Sequence, residues 1–165
     1  MRPREGPESV PVTVRISDIV EALEVQFDER PSFVDLDTCK VETISRDTLR
    51  AVEESNEDED PEEEEEEEDD EWETAKRVLF TGNFKKLPTP YEVHEWSIME
   101  EFSESVESPG IREDLLNAIR GAGAFRSFRD TIHRYLIEKD WYAFRTEALR
   151  QIAIDWCEEH KLAWE

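Results

Sequence analysis

An acidic tract in the middle of the chain sets the main limit on where a folded core can form. Residues 53–73 contain 17 Asp and Glu residues and neither Lys nor Arg. Like charges repel one another, and so dense a run has little apolar surface to bury, so its composition predicts a disordered linker over residues 53–71. From Trp72 onward apolar residues return at helical spacing. The acids before them favour a helix N-terminus, so a helix that starts inside the tract is the alternative.

The tract supplies most of the net charge of the chain. The 165 residues include 44 acids and 20 bases, for a formal charge of −24, of which −7 lies outside residues 53–73. Direct binding to DNA or RNA needs a basic surface, so this balance argues against it. An acidic chain more readily meets a basic protein surface, and we therefore expect a protein partner.

Cysteine usage and the hydropathy pattern together indicate a cytoplasmic protein. The two cysteines, Cys39 and Cys157, are far apart in sequence and belong to no C-x-x-C motif, which is typical of a reducing compartment. The first residues, MRPREGPESVP, contain no apolar segment of the kind that a signal peptide has. No apolar run approaches the length of a membrane span, so we expect no membrane association.

Residues 1–52 show the pattern of a small N-terminal α/β-hairpin unit. Ser17 is a good helix cap with apolar residues behind it at helical spacing. Two short strands follow, Ser32–Asp35 and Lys40–Ile44, and the four-residue turn between them predicts a β-hairpin. Ser45 is placed to cap a second helix. So small a sheet needs support from elsewhere to be stable.

Residues 72–165 predict a compact bundle of four or five helices. The strongest helix start has Thr89 as the N-cap, Pro90 at the first helical position and Glu92 completing a capping box. This helix is predicted to run to about Val106, and further helices follow with short connections. The expected fold class is therefore α+β and mostly α, with the bundle in the C-terminal half joined to the N-terminal helix and hairpin by an acidic disordered linker.

The second half of the bundle contains a candidate anion-binding site. Gly121 follows the last apolar residue of a helix, where a left-handed backbone is expected, and Gly123 lets the chain turn again. Arg126, Arg129 and His133 fall on one flank of the next helix. Free N–H groups at a helix start, a glycine turn and two Arg side chains suit an anion. The alternative is a helix hairpin whose Arg residues pair with neighbouring acids.

Glu95 and Arg145 form a candidate buried ion pair. Each is a charged residue that helical projection places among apolar residues. A charge inside a core has to be paired, and two opposite charges in one small bundle are expected to pair with each other. Such a pair can grip a ligand or take part in catalysis. It can equally be structural, or reach water from the edge of the core.

The sequence predicts no metal site, no cofactor and no catalytic residue. His94 and Glu95 open like the zinc-protease motif, but Ile98 stands where the second His is required. Cys157 and His160 have the spacing of half a zinc site, without a second half elsewhere. Phosphate-binding loops, dinucleotide fingerprints and the nucleophile-elbow motif are missing from the sequence. These absences favour a non-enzyme without deciding the question.

Several stretches resemble an uncharacterised bacterial protein family, number 0158 in the UPF series. The resemblance rests on LPTPYEVHEWSIMEEF, IREDLLNAIRGAGAFRSFRDTIHRY and DWYAFRTEALRQIAIDWCEEH, and the family's helix and hairpin match SDIVEALEVQFDERPSFVDLDTCKVETIS. It implies a bacterial, soluble and cytoplasmic protein and supplies no activity. Members of the family often carry Lys between the two glycines and a second basic residue where Ser127 stands. This chain has Ala122 and Ser127 there, which weakens an anion site carried over from the family.

The sequence supports three function hypotheses. The first is a non-enzymatic cytoplasmic binding or regulatory protein, because a compact helical domain stands beside a charged tract without a recognisable catalytic set. The second is an enzyme or sensor for a small phosphorylated or carboxylated ligand held by the Arg126–His133 flank. The third is an acidic mimic of nucleic acid, which needs carboxylates fixed at the spacing of phosphates. A concave pocket at the Arg126–His133 flank favours the second hypothesis, and an open face favours the first.

Overall fold

Helices dominate the computed structural model, which describes residues 12–25, 29–55 and 66–165. Within those ranges the chain forms, in order, α1 Ile16–Glu24, β1 Ser32–Asp35, β2 Val41–Thr43, α2 Arg46–Glu54, α3 Glu66–Phe80, β3 Phe84–Lys86, α4 Pro90–Val93, α5 Glu95–Ser105, α6 Pro109–Ala118, α7 Ala124–Arg134 and α8 Glu138–Glu159. The predicted α+β, mostly α class is confirmed, as are the N-terminal helix and hairpin. The N-cap of that helix is Arg15, whereas the predicted cap, Ser17, lies inside the helix. None of the described helices is both long and apolar enough to cross a membrane.

Backbone contacts divide the chain into two units. The sheet unit combines Met1–Thr89 with Ala153–Glu165, and the helical unit comprises Pro90–Ile152. The sheet unit thus includes α3, β3 and the end of α8, which the sequence assigned to a helical domain over 72–165. That residues 1–52 and 72–165 fold as separate domains stays a prediction.

A three-stranded antiparallel sheet gives the sheet unit its name, with the strand order β2-β1-β3. In this sheet Phe33 stands opposite Glu42 on one side and Lys86 on the other. The predicted hairpin is formed by β1 and β2. Strand β3 was not indicated by the sequence, because three residues are too few to show an alternating pattern. Its pairing supplies the support that a two-stranded hairpin lacks.

Helices α2 and α3 pack together through a small apolar cluster. Ile44, Val52 and Ala75 are buried in this cluster. The backbone N–H of Ser45 donates a hydrogen bond of 2.6 Å to Oε1 of Glu71, which ties the start of α2 to α3. The Ser45 side chain caps α2, as predicted.

Helix α3 begins at Glu66, inside the stretch 53–71 for which a disordered linker was expected. The structure shows the alternative, a helix that starts within the tract. Apolar residues from Trp72 onward anchor this helix against α2, and its acidic residues fall at the N-terminal end, where the helix dipole favours them. Residues 56–65 of the predicted linker lie outside the described residues.

Edge-to-face aromatic contacts organise the core of the helical unit. The ring centroids of Phe128 and Trp141 lie 4.8 Å apart. Phe102 contacts these two rings at 6.1 and 5.4 Å, and it contacts Phe144 at 5.5 Å. The four residues come from α5, α7 and α8, so the cluster fixes these three helices relative to one another. Such pairs contribute about 0.5–1.5 kcal/mol each beyond the apolar area that they bury.

The helix predicted from Thr89 to about Val106 is broken in two at His94. The short helix α4 ends at Val93, His94 adopts a left-handed backbone with φ 53° and ψ 58°, and α5 starts at Glu95. The prediction of one continuous helix was wrong because capping residues locate a helix start and carry no information about a break one turn later. The break makes Glu95 the first residue of α5.

Candidate functional site

A cavity of about 210 Å³ opens among α5, α7 and α8 of the helical unit. Aromatic and aliphatic side chains form most of its wall, and three charged side chains complete it. The lining residues are Glu95, Met99, Phe125, Phe128, Arg129, Ile132, Trp141, Tyr142 and Arg145. An apolar concavity with a few convergent charged groups is the usual form of a small-molecule site, so this cavity is the candidate functional site.

Helical spacing explains why these side chains share one cavity. The lining residues of α7 run from Phe125 to Ile132 and include positions three and four apart, which lie on one helix face. On α8, Trp141 and Arg145 are four apart and share a face in the same way. Glu95 enters the cavity from the first turn of α5, a position set by the helix break that precedes it.

The aromatic wall has a fixed floor and an open rim. Phe128 and Trp141 form the floor and are held by the edge-to-face cluster, with only 2 % and 8 % of their surface exposed. Phe125 and Tyr142 form the rim, and each is 55 % exposed. Open aromatic faces beside a fixed apolar floor suit a ligand with a flat, apolar body.

The Glu95–Arg145 pair forms the polar side of the cavity. Oε1 of Glu95 accepts hydrogen bonds from both Nε and Nη2 of Arg145, and the distance to Nε is 2.7 Å. The pair expected from the sequence is therefore present. It is not sealed in the core, because the Arg145 side chain is 21 % exposed and that of Glu95 is 35 % exposed. One carboxylate oxygen takes both bonds, so Oε2 of Glu95 bonds to no described residue.

Arg129 differs from the other two charged lining residues in having no partner. Its guanidinium makes neither an ion pair nor a hydrogen bond with any residue in the part of the chain that the structure describes. Glu95 offsets the charge of Arg145, so Arg129 leaves the cavity with one uncompensated positive charge. A guanidinium of this kind is ready to bind an anion in the planar, two-point geometry that carboxylates and phosphates accept.

The structure does not bring the residues of the predicted anion site together. All three side chains are exposed, but only Arg129 lines the cavity, and Arg126 and His133 do not. Nδ1 of His133 instead lies 2.5 Å from Oε1 of Glu138. Positions three apart on a helix differ by roughly 60° in direction, so a flank that looks continuous in projection can have one residue inside a cavity and its neighbours outside.

Of the two glycines in the turn before α7, Gly123 has the left-handed backbone and Gly121 does not. Gly123 has φ 73° and is the N-cap of α7, whereas Gly121 is not among the residues with positive φ. The prediction for Gly121 was wrong because α6 ends at Ala118 with Ile119 as its C-cap, so Gly121 lies beyond the helix end. A Cβ atom would meet nothing within 4 Å at either glycine, and neither glycine lines the cavity.

The sequence indicated the phenylalanine face of α7 beside its Arg and His residues, but it gave Trp141 and Tyr142 of α8 no part in the candidate site. Adjacent residues on a helix point about 100° apart, so only one of two neighbouring aromatics can face a core directly. A second large aromatic side chain beside an inward one was therefore the available signal for a concave surface at this position.

A second polar cluster in the helical unit links α6 to the end of α7. Asp114 accepts a hydrogen bond from the Tyr135 hydroxyl, and Nη2 of Arg134 lies 3.2 Å from the same oxygen. This hydrogen bond raises the pKa of Tyr135, and burial and the negative charge of Asp114 add to the rise. The cluster is outside the cavity. Among the described residues, no group of three or more His, Cys, Asp and Glu side chains is arranged to hold a metal ion.

Within the described residues, the chain is a mostly helical α+β protein with a cavity lined by aromatic side chains in its helical unit. The model of an uncharacterised protein family, UPF0158, matches residues 9–164, and the chain belongs to that family. A UPF0158 protein from Pseudomonas aeruginosa is 32 % identical over 66 residues, which are 39 % of this chain and 43 % of that protein. The matched region is therefore less than half of the relative's length. No solved structure gives a significant match.

Proposed function

We propose that this chain is a non-enzymatic binding protein whose helical unit holds a small carboxylated or phosphorylated molecule. The observation that carries the proposal is the Arg129 guanidinium, which faces an aromatic cavity and has no partner among the described residues. The side chain is exposed at the edge of the cavity, so its donors are available to the anionic group of a ligand whose body occupies the apolar part. The cavity is smaller than the roughly 300–1,000 Å³ of sites for drug-sized ligands, so the ligand is a small one.

The lining of the cavity favours binding over catalysis. It contains no Ser, Thr, Cys or His, the side chains that most often act as nucleophiles or proton shuttles. Its one carboxylate, Glu95, is engaged by Arg145 and held in a fixed position. An enzyme that uses Glu95 as a general base is the competing proposal, and it needs the free oxygen of Glu95 to take a proton from the bound molecule.

Thermal unfolding in the presence of metabolite carboxylates and phosphates tests the proposal. A ligand at ten times its Kd stabilises the folded state by about 1.4 kcal/mol, which raises the melting temperature of a protein of this size by roughly 3–6 °C. We expect such a shift for the wild type and for Arg126→Gln, a matched change on α7 outside the cavity, and its loss for Arg129→Gln.

Two outcomes contradict the proposal. One is a panel in which no compound shifts the melting temperature. The other is a shift that Arg129→Gln retains in full. A compound that the wild type converts chemically and that Glu95→Gln binds without converting would establish the enzyme instead.

A further inference from the structure

The charges around the cavity restrict the charge of its ligand. Glu95 and Arg145 neutralise each other through two hydrogen bonds, which leaves the single positive charge of Arg129. A ligand with one negative charge therefore makes the site neutral. A doubly charged phosphate would leave one negative charge in excess, next to the carboxylate of Glu95, and a partly enclosed apolar site penalises such an excess.

The wall of the cavity restricts the shape of the ligand. Phe128 and Trp141 form a floor that is already closely packed, so the ligand does not displace them. Phe125 and Tyr142 stand at the rim with more than half of their surface open. Rings gain most from contact with other flat rings, in stacked or edge-to-face geometry, so this wall favours an aromatic ligand over an aliphatic one of the same size.

The volume of the cavity restricts the size of the ligand. A volume of about 210 Å³ equals that of about seven water molecules at roughly 30 Å³ each. This space accommodates one ring with a carboxylate and a small substituent. A base, a sugar and a phosphate together exceed this volume, so a complete nucleotide would extend out of the cavity into solvent.

We infer that the ligand is an aromatic monocarboxylate. The inference rests on the proposed function of the cavity and narrows it to one chemical class. The carboxylate of the ligand pairs with Arg129, and its ring lies on the floor between Phe125 and Tyr142. The Glu95–Arg145 pair closes the polar side and repels a second negative charge on the ligand through the free oxygen of Glu95.

Four small probes of similar size test the restrictions on the charge and on the shape of the ligand. Benzoate has the charge and the ring, benzamide lacks the charge, cyclohexanecarboxylate lacks the flat ring, and phenyl phosphate carries close to two negative charges. The measurement is titration of the full chain followed by NMR. We expect benzoate to bind at least about tenfold more tightly than each of the other probes, since one charge-assisted hydrogen bond is enough to account for a factor of ten.

Variants of the chain assign the selectivity to the named side chains. Arg129→Gln is expected to reduce benzoate binding to the level of benzamide, and Arg126→Gln is expected to leave the preference unchanged. In Tyr142→Leu the affinity for benzoate is expected to fall close to the affinity for cyclohexanecarboxylate. Benzoate should still bind more tightly than benzamide. An unchanged NMR spectrum away from the cavity shows that each variant is folded.

The outcomes distinguish failure of this inference from failure of the proposed function. Phenyl phosphate or cyclohexanecarboxylate binding as tightly as benzoate overturns the ligand class. The ligand class is also wrong if none of the probes binds while another compound raises the melting temperature of the wild type but not of Arg129→Gln. A benzoate preference that survives in Arg129→Gln also overturns it. If neither the probes nor any metabolite binds, both the ligand class and the proposed function are wrong.

Discussion

The two units each contain a carboxylate paired with a guanidinium, and the two pairs differ in how completely they are satisfied. In the sheet unit, the Asp35 side chain is only 3 % exposed, and Oδ2 lies 2.5 Å from Nη2 of Arg77. The other oxygen, Oδ1, accepts hydrogen bonds from the backbone N–H groups of Asp37 and Thr38, at 2.9 and 3.4 Å. Both oxygens of this carboxylate are therefore occupied, and the pair holds the turn after β1 against α3.

The ion pair in the helical unit is less completely hydrogen-bonded than the pair in the sheet unit. Glu95 uses one oxygen for Arg145 and keeps the other free of described partners, and both side chains face a cavity that also contains Arg129. The comparison shows that a charged pair by itself says little about function. The informative difference is whether donors and acceptors are left over and whether a concave, apolar surface lies beside them.

The largest effect is expected from breaking the satisfied pair. Asp35→Ala leaves two backbone N–H groups and the Arg77 guanidinium without their acceptor, so the free energy of unfolding is expected to fall by about 3 kcal/mol. Urea unfolding of the wild type and of Asp35→Ala measures this loss of stability. Glu21→Ala, which removes an exposed acid of α1 in the same unit, is expected to cost less than about 0.5 kcal/mol. Similar losses for the two variants would show that the Asp35 network is not structural.

The buried thiol of the sheet unit ties stability to alkaline pH. Burial, followed by the nearby Cys39 and Glu158 charges, raises the pKa of Cys157 from 9.0 to about 11. Below pH 9 the thiol is protonated in both states and its contribution to stability is complete. Between pH 9 and pH 11 the unfolded chain releases a proton that the folded chain retains, so stability falls with rising pH, by about 2–3 kcal/mol at pH 11.

Urea unfolding of the wild type and Cys157→Ala across pH 8–11 isolates this contribution. The variant is less stable at pH 8, because it leaves a small cavity, but it is expected to lose less stability on going to pH 11. If the free energy of unfolding falls equally with rising pH in the two proteins, the Cys157 thiol ionises as easily in the folded protein as in the unfolded chain.

The open pair of the helical unit is expected to be weaker than the pair in the sheet unit. Exposed ion pairs contribute under about 1 kcal/mol, and removing one partner of a buried pair costs roughly 3–5 kcal/mol. With side chains 35 % and 21 % exposed, a double-mutant cycle of Glu95→Gln and Arg145→Met is expected to give a coupling energy of about 1 kcal/mol. Additive effects would mean that the pair has no energetic role, and a coupling above about 3 kcal/mol would mean that it is structural.

The smallest effect on stability is expected at Arg129. Since this side chain has no described partner, Arg129→Gln is expected to change the free energy of unfolding by less than about 0.5 kcal/mol in either direction, while it removes ligand binding. A stability loss above about 1 kcal/mol would show that Arg129 stabilises the fold and is not free to bind a ligand.

Features that follow from local rules could be predicted from the sequence. The β1–β2 hairpin and the Ser45 cap depend on alternation and on a short polar side chain before a helix. The pairing of Glu95 with Arg145 followed from two opposite charges on apolar helix faces, although their exposure did not, because a helical projection does not show where a core ends.

Features that depend on several elements meeting could not be predicted in this way. Strand β3 is three residues long and exists because β1 offers it an edge. The break at His94 and the left-handed backbone of Gly123 depend on how neighbouring helices are connected. The cavity depends on α5, α7 and α8 at once, so the sequence placed Arg129 on the correct flank but grouped it with Arg126 and His133, which are outside.

The central claim is that unsatisfied charge beside an aromatic cavity marks a ligand site, whereas a satisfied pair does not. The side-chain Nε–Hε NMR signals of Arg129 and Arg77 during a titration with benzoate test this claim most directly. We expect the Arg129 signal to move and to saturate as benzoate is added, and the Arg77 signal to stay in place. Equal movement of the two signals, or a stationary Arg129 signal at every benzoate concentration that the folded protein tolerates, would contradict the claim.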